Sequence, residues 1–116
     1  MKYLLIFAAD EAAFAEPGSA AAEEEMQRFV TLTEELEAAG ALLGGEELKS
    51  VTTATTVRIR AGETLITDGP FADTKEAIGG YFVIEVETLD EAIAWARKVP
   101  VAEYGAIEIR PVQEWE

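Results

Sequence analysis

The stretch MKYLLIFAADEAAFA, Met1 to Ala15, admits two readings, and the fold turns on which one holds. One Lys, an apolar run from Tyr3 to Ala9 and small residues afterwards imitate a secretory leader. The run is at the short limit for a leader core, however, and Asp10 and Glu11 come next, where a cleavage region is small and neutral. Tyr3 to Ala9 is also rich in β-formers and too short for a helix, so it reads as a buried strand. Both of its faces are apolar: Leu4, Ile6 and Ala8 point one way, Tyr3, Leu5 and Phe7 the other.

Working outward, Pro17, Gly18 and Ser19 punctuate the chain, with Ser19 positioned to cap a helix. From Ala21 to Ala39, Met26, Phe29, Val30 and Leu36, with Thr33 between, have the spacing of one helical face. Glu23, Glu24 and Glu25 lie in the first turn, where the helix dipole favours anions, and Gly40 ends the helix. Ala41 to Lys49 is a weaker strand, loosened by Gly44 and Gly45. Thr55–Arg60 and Glu63–Thr67 flank Ala61-Gly62 as a short hairpin. Tyr81 to Val86 is almost continuously apolar, as a strand covered on both faces would be. Thr88-Leu89-Asp90-Glu91 has the capping-box form and opens a helix whose Ala92, Trp95, Ala96 and Val99 share a face. Arg97 and Lys98 sit in its last turn, and Pro100 stops it. Ile107, Ile109 and Pro111 alternate with Glu108 and Arg110, a final strand with one wet face.

The order β-α-β, hairpin, β-α-β is the split βαβ, or ferredoxin-like, plan: an α+β fold whose antiparallel sheet carries both helices on one face. Two helices cover only one face of a sheet that is apolar on both. The other face would expose about five large apolar groups, each worth roughly 1.5 to 3 kcal/mol when buried. That total rivals the stability of a small domain, about 5 to 15 kcal/mol. The expectation is therefore a homodimer packed through the sheet face. The competing expectation is that the inserted hairpin folds back and covers the sheet itself. Trp115, in an acidic tail, would pack on the partner.

Composition narrows the chemistry. The 116 residues fit a single domain, 1–116, and the 49% apolar content argues against disorder. A net charge of -14 repels phosphate backbones and anionic membranes, so neither nucleic acid nor a membrane is the expected partner. Nothing approaches the roughly 20 apolar residues of a membrane span, and the expected location is cytoplasmic. With Cys 0 and His 0, no thiolate and no imidazole is available, and no metal or cofactor is expected.

The segment DGPFADTKE, Asp68 to Glu76, closely resembles the signature of the DGPF group within the YCII-related proteins. The resemblance extends from MKYLLIF through Phe29 to Gly40, the TTVRIR and TLITDGPF hairpin, GGYFVIEV, LDEAIAWARKVP and the closing EIRPV. It implies a dimeric α+β barrel, bacterial and cytoplasmic, of largely undefined activity, often encoded beside extracytoplasmic-function sigma factors. Some YCII-related proteins use a His paired with an Asp, the His lying in the first helix; that region here offers Arg28 and Phe29. A His-dependent mechanism does not transfer to this chain.

The motif supports two accounts. In the functional one, Asp68, Lys75 and Glu76 converge at the mouth of a cavity as acid–base residues, with Lys75 holding an anionic ligand or lowering a carboxylate's pKa. Phe71, Thr74, Gly80 and Tyr81 line the ligand, and the Gly79-Gly80 backbone permits close approach. The function is then a small-molecule-binding barrel, a cofactor-free lyase or isomerase. In the structural account, Asp68 forms an Asx turn, Gly69 takes a positive φ, Pro70 fixes the bend, Phe71 plugs the core, and Lys75 with Glu76 is a surface pair. Glu46 and Glu47 are further candidates for the same cavity, and Asp10 with Glu11 for a hard cation. The Thr52–Thr56 hydroxyls have no base to activate them. The alternative to a small-molecule protein is a non-catalytic accessory module of transcriptional regulation that works through its acidic helix face.

Overall fold

Strand order identifies the folding plan. In the computed structural model, which describes residues 1–115, β1 (Lys2–Ala9), β2 (Leu42–Glu47), β5 (Ala77–Glu85) and β6 (Ala106–Pro111) form one antiparallel sheet in the order β2-β5-β1-β6. This is the ferredoxin-like order, with α1 (Ala20–Ala38) and α2 (Leu89–Ala96) as the crossovers. The remaining strands, β3 (Thr55–Arg60) and β4 (Glu63–Asp68), pair only with each other.

Caps set the helix starts. Ser19 Oγ accepts the Ala22 amide, and Thr88 Oγ1 accepts the Glu91 amide at 3.2 Å. The Glu91 carboxylate returns the bond one residue early, to the Glu87 amide at 2.9 Å. α2 ends at Ala96, so Arg97 caps it and Lys98 and Val99 lie beyond, three residues short of the expected end before Pro100. The hairpin turn uses Ala61 at φ 52 and Gly62 at φ 80, the primed geometry whose twist matches the strands.

Both helices lie on the face carrying Tyr3, Leu5, Phe7, Ile84 and Phe82. Leu32 and Leu36 of α1 and Ala92 and Ala96 of α2 complete this core. Phe7 stacks edge-on against Phe82 at 5.1 Å and meets Phe29 at 5.9 Å. The predicted α1 face needs correction: Phe29 and Leu36 pack inward, but Met26 and Val30 are exposed and Leu32 takes the central place. Met26 and Val30 lie on the flank of the apolar stripe turned away from Leu32 and Leu36.

The hairpin does not fold back. Every β4 residue is exposed, and neither hairpin strand packs on the four-stranded sheet. The chain is a plate of 48 × 46 × 18 Å with a radius of gyration of 16.2 Å, where a compact domain of this length has about 13 Å. It exposes 8199 Å², where a folded monomer of this size exposes about 6,200 Å². Both the sheet face opposite the helices and the hairpin contribute exposed apolar side chains, Ile78 on the one and Val57, Ile59, Leu65 and Ile66 on the other.

Candidate functional site

The motif segment sits at the foot of the hairpin. The Gly69 amide donates to Ala54 O at 2.8 Å, Thr56 Oγ1 to Gly69 O at 2.7 Å and Arg58 Nη2 to Phe71 O at 3.0 Å. Gly69 has φ 101, as the turn chemistry predicts. Phe71 does not plug the core: it is 75% exposed, because the turn is tied outward to the hairpin. Asp68, Thr74, Lys75 and Glu76 are also exposed. Among the described residues no hydrogen bond or ion pair joins Asp68, Lys75 and Glu76; the one local contact is Thr74 Oγ1 donating to Glu76 O at 2.7 Å. Lys75 and Glu76 thus do not form the expected surface pair.

Gly80 and Tyr81 point to opposite faces. Gly80 pairs with Phe7 on the helix side, and a Cβ there would stand 2.9 Å from Glu46 O and 3.2 Å from the Phe7 ring. Its bareness lets β2 and Phe7 approach, so it does not share a wall with Tyr81. Gly79 is the extra residue of a β-bulge against Phe7/Ala8, which returns Ile78 to the same face as Tyr81. The strand therefore starts at Ala77, earlier than its apolar run suggests.

On the open face the register builds two rows across all four strands. One reads Glu46, Tyr81, Ile6, Glu108; the next reads Gly44, Val83, Leu4, Arg110. An apolar centre is thus flanked by a carboxylate on each edge, and Arg110 Nη1 is held 3.2 Å from Glu108 Oε2. Tyr81 is the cross-strand partner of Glu46, so both side chains leave the sheet on the same face, beside its apolar centre. Glu46 is only a minor candidate in the sequence because nothing local distinguishes it from the other glutamates; the β2–β5 register does.

The profile of the YCII-related domain matches residues 1–116. The chain belongs to the YCII-related family. An uncharacterised protein of Rhizobium meliloti (strain 1021) is 43% identical over 76 residues, 64% of this chain and 61% of that protein; the match thus spans about three fifths of the relative's length. Among solved structures, the 5-chloro-2-hydroxyhydroquinone dehydrochlorinase of Burkholderia phenoliruptrix, in complex with 2,5-dihydroxybenzoquinone, aligns with a TM-score of 0.51 at 15% identity, covering 99% of this chain and 96% of its own. At that identity the likeness concerns the ferredoxin-like fold.

A second polar constellation in this YCII-related chain has no signal in the sequence. A cleft of about 410 Å³ lies between α1 and the 3-10 turns Glu11–Ala13 and Pro100–Glu103. Arg28 Nη1 and Nη2 donate to both Glu103 oxygens at 2.9 and 2.7 Å, which raises the guanidinium pKa and holds the Glu103 carboxyl below the usual carboxylate range. Tyr104 OH donates to Glu25 Oε1 at 2.6 Å while its ring meets Phe14 edge-on at 5.8 Å; desolvation, then the Glu25 bond, push its pKa up. The partners are more than seventy residues apart in sequence, so no local pattern announces them. Arg28, in the first helix, is thus held in a two-pronged ion pair at the solvent-exposed lip of the cleft.

Asp10 and Glu11 have other tasks. Asp10 Oδ1 accepts the Ala12 amide at 2.9 Å, and Glu11 accepts Ser50 Oγ at 2.8 Å and the Val51 amide at 3.0 Å, anchoring the approach to the hairpin. Among the described residues no three acidic side chains gather to hold a metal ion. No described helix is long and apolar enough to cross a membrane.

Proposed function

We propose that two copies pair through their open sheet faces into an α+β barrel, cytoplasmic in setting, that binds a small oxygenated ring compound and performs cofactor-free, lyase-type acid–base chemistry on it. The observation that carries this reading is the row Glu46–Tyr81–Ile6: a phenol and a carboxylate beside an apolar floor that one chain leaves open. An enolisable or phenolic ring would lie on Ile6 and Val83 while Tyr81 donates to an oxygen and a carboxylate takes a proton. Asp68, Lys75 and Glu76 enter from the motif segment, Lys75 offsetting charge on an enolate and Asp68 or Glu76 sharing the base role; Phe71 and Thr74 border the ligand. The dehydrochlorinase that shares the fold acts on a hydroxyhydroquinone, which supports this choice of ligand class.

The test is a thermal-shift panel of hydroxylated quinones and hydroquinones, beginning with 2,5-dihydroxybenzoquinone, on the wild type and on Tyr81→Phe, Glu46→Gln, Asp68→Asn and Lys75→Ala, with light scattering alongside. Stabilisation of the wild-type dimer that weakens in Tyr81→Phe and Lys75→Ala is expected. Equal shifts in all five proteins, or a monomer at micromolar concentration, would remove the pocket.

A further inference from the structure

We infer that the β3–β4 hairpin, with the Asp68–Phe71 turn at its foot, is an arm that closes over the open sheet face of a second copy, so that each pocket draws residues from two chains. This rests on the paired-sheet reading above and adds to it the part played by the inserted hairpin. The register puts Val57, Ile59 and Ile66 on one hairpin face, exposed by 60%, 65% and 69%. An isolated two-stranded hairpin is marginal in water, and a bare β-branched face invites association. Among the described elements, β3 and β4 pack extensively only on each other.

Apolar match and area select the occupant. From Thr55 to Asp68, Arg58 and Arg60 balance Glu63 and Asp68, so the hairpin is neutral in a chain whose net charge is -14. A neutral arm whose Val57, Ile59 and Ile66 share one face matches the apolar centre of Leu4, Ile6 and Val83 on the open face and adds no charge repulsion at its Glu46 and Glu108 edges. The excess of about 2,000 Å² over a compact monomer falls in the range that identical subunits bury together. Six-residue strands span about 20 Å, enough to pass the edge of a plate 18 Å thick. Because Gly69 and Phe71 are bonded to Ala54, Thr56 and Arg58, the turn travels with the arm and brings Asp68 and Phe71 toward the second copy's Tyr81 row.

The chain has no Cys, so Ile59→Cys offers a single attachment point for a benzophenone maleimide. Isotopically light and heavy protein, mixed by co-refolding and irradiated, should yield mixed light–heavy cross-links from the hairpin to β1 or β5 peptides. Cross-links confined to one chain, or none, in protein that light scattering shows to be dimeric overturn the arm while the paired-sheet reading survives. A monomeric wild type overturns both. Independently, Ile59→Glu with Ile66→Glu should raise the dimer dissociation constant about tenfold or more with an unchanged circular dichroism spectrum; a change within about twofold overturns the arm.

Discussion

The two faces of the four-stranded sheet are made of the same kinds of residue and meet opposite fates. On the helix side, Leu5 and Ile84 are wholly buried among Leu36, Phe7 and Phe82. On the other, Leu4, Ile6, Tyr81 and Val83 are only half-buried, on a face that neither helix covers. Hydropathy cannot tell these faces apart, because it measures what a residue prefers and not what covers it. The difference is topological: both crossovers leave the sheet on one side. A face with no covering layer is where one chain has room for a ligand and for another copy.

The comparison breaks most directly at Leu5 and Leu36. Truncating either to Ala should cost about 2–5 kcal/mol in urea unfolding, whatever the protein concentration. Ile6→Ala, one position along the same strand, should lose stability in proportion to dimer formation, so that its midpoint deficit changes with protein concentration. Equal, concentration-independent losses at Leu5 and Ile6 would erase the distinction between the faces. A smaller effect is expected at Gly45, whose added Cβ would stand 2.5 Å from Tyr81 O and 2.6 Å from the Phe82 ring. Gly45→Ala should cost about 1–3 kcal/mol through forced displacement of β2, whereas Gly44→Ala, which meets nothing within 4 Å, should be nearly silent. Removing the α2 cap with Thr88→Ala should cost about 1 kcal/mol, read from the same urea curves.

Elements with a local cause are legible in the sequence. Ser19, Thr88, Gly62 and the alternation in β6 each act through neighbours a few residues away, and each does what its chemistry implies. Features set by distant register are not. The phase of α1 slides toward Met26 and Val30 because the pattern shows an apolar stripe without showing how wide a sheet lies beneath it. The Gly79 bulge hides the first residues of β5, since two glycines read as punctuation. Phe71 reads as a core residue on its aromatic character alone, although the turn that carries it is tied to a hairpin standing clear of the core. At the candidate site, Tyr81 is visible as a residue, but its juxtaposition with Glu46 exists only in the pairing of β2 with β5.

The mildest effect sharpens the contrast between a closed constellation and an open one. Tyr104 donates to Glu25 and packs against Phe14, and its pKa is raised above the ordinary 10.0 by desolvation first and by the Glu25 carboxylate second. The folded state therefore holds the phenol proton more tightly than the unfolded chain does. The stability tied to it is complete below about pH 10, the unfolded value, and drains away as pH rises toward the folded one. A titration monitored at the phenolate absorbance should find one of the three tyrosines ionising last, and Glu25→Gln should bring that step down toward the ordinary range. The ion pair beside it works in the opposite sense: Arg28 lowers the Glu103 pKa, so its contribution is present above the ordinary carboxylate range and fades as acid protonates Glu103. If Glu25→Gln leaves the last tyrosine step unmoved, the Tyr104–Glu25 bond is absent in solution, and the cleft beside α1 is as open as the sheet face.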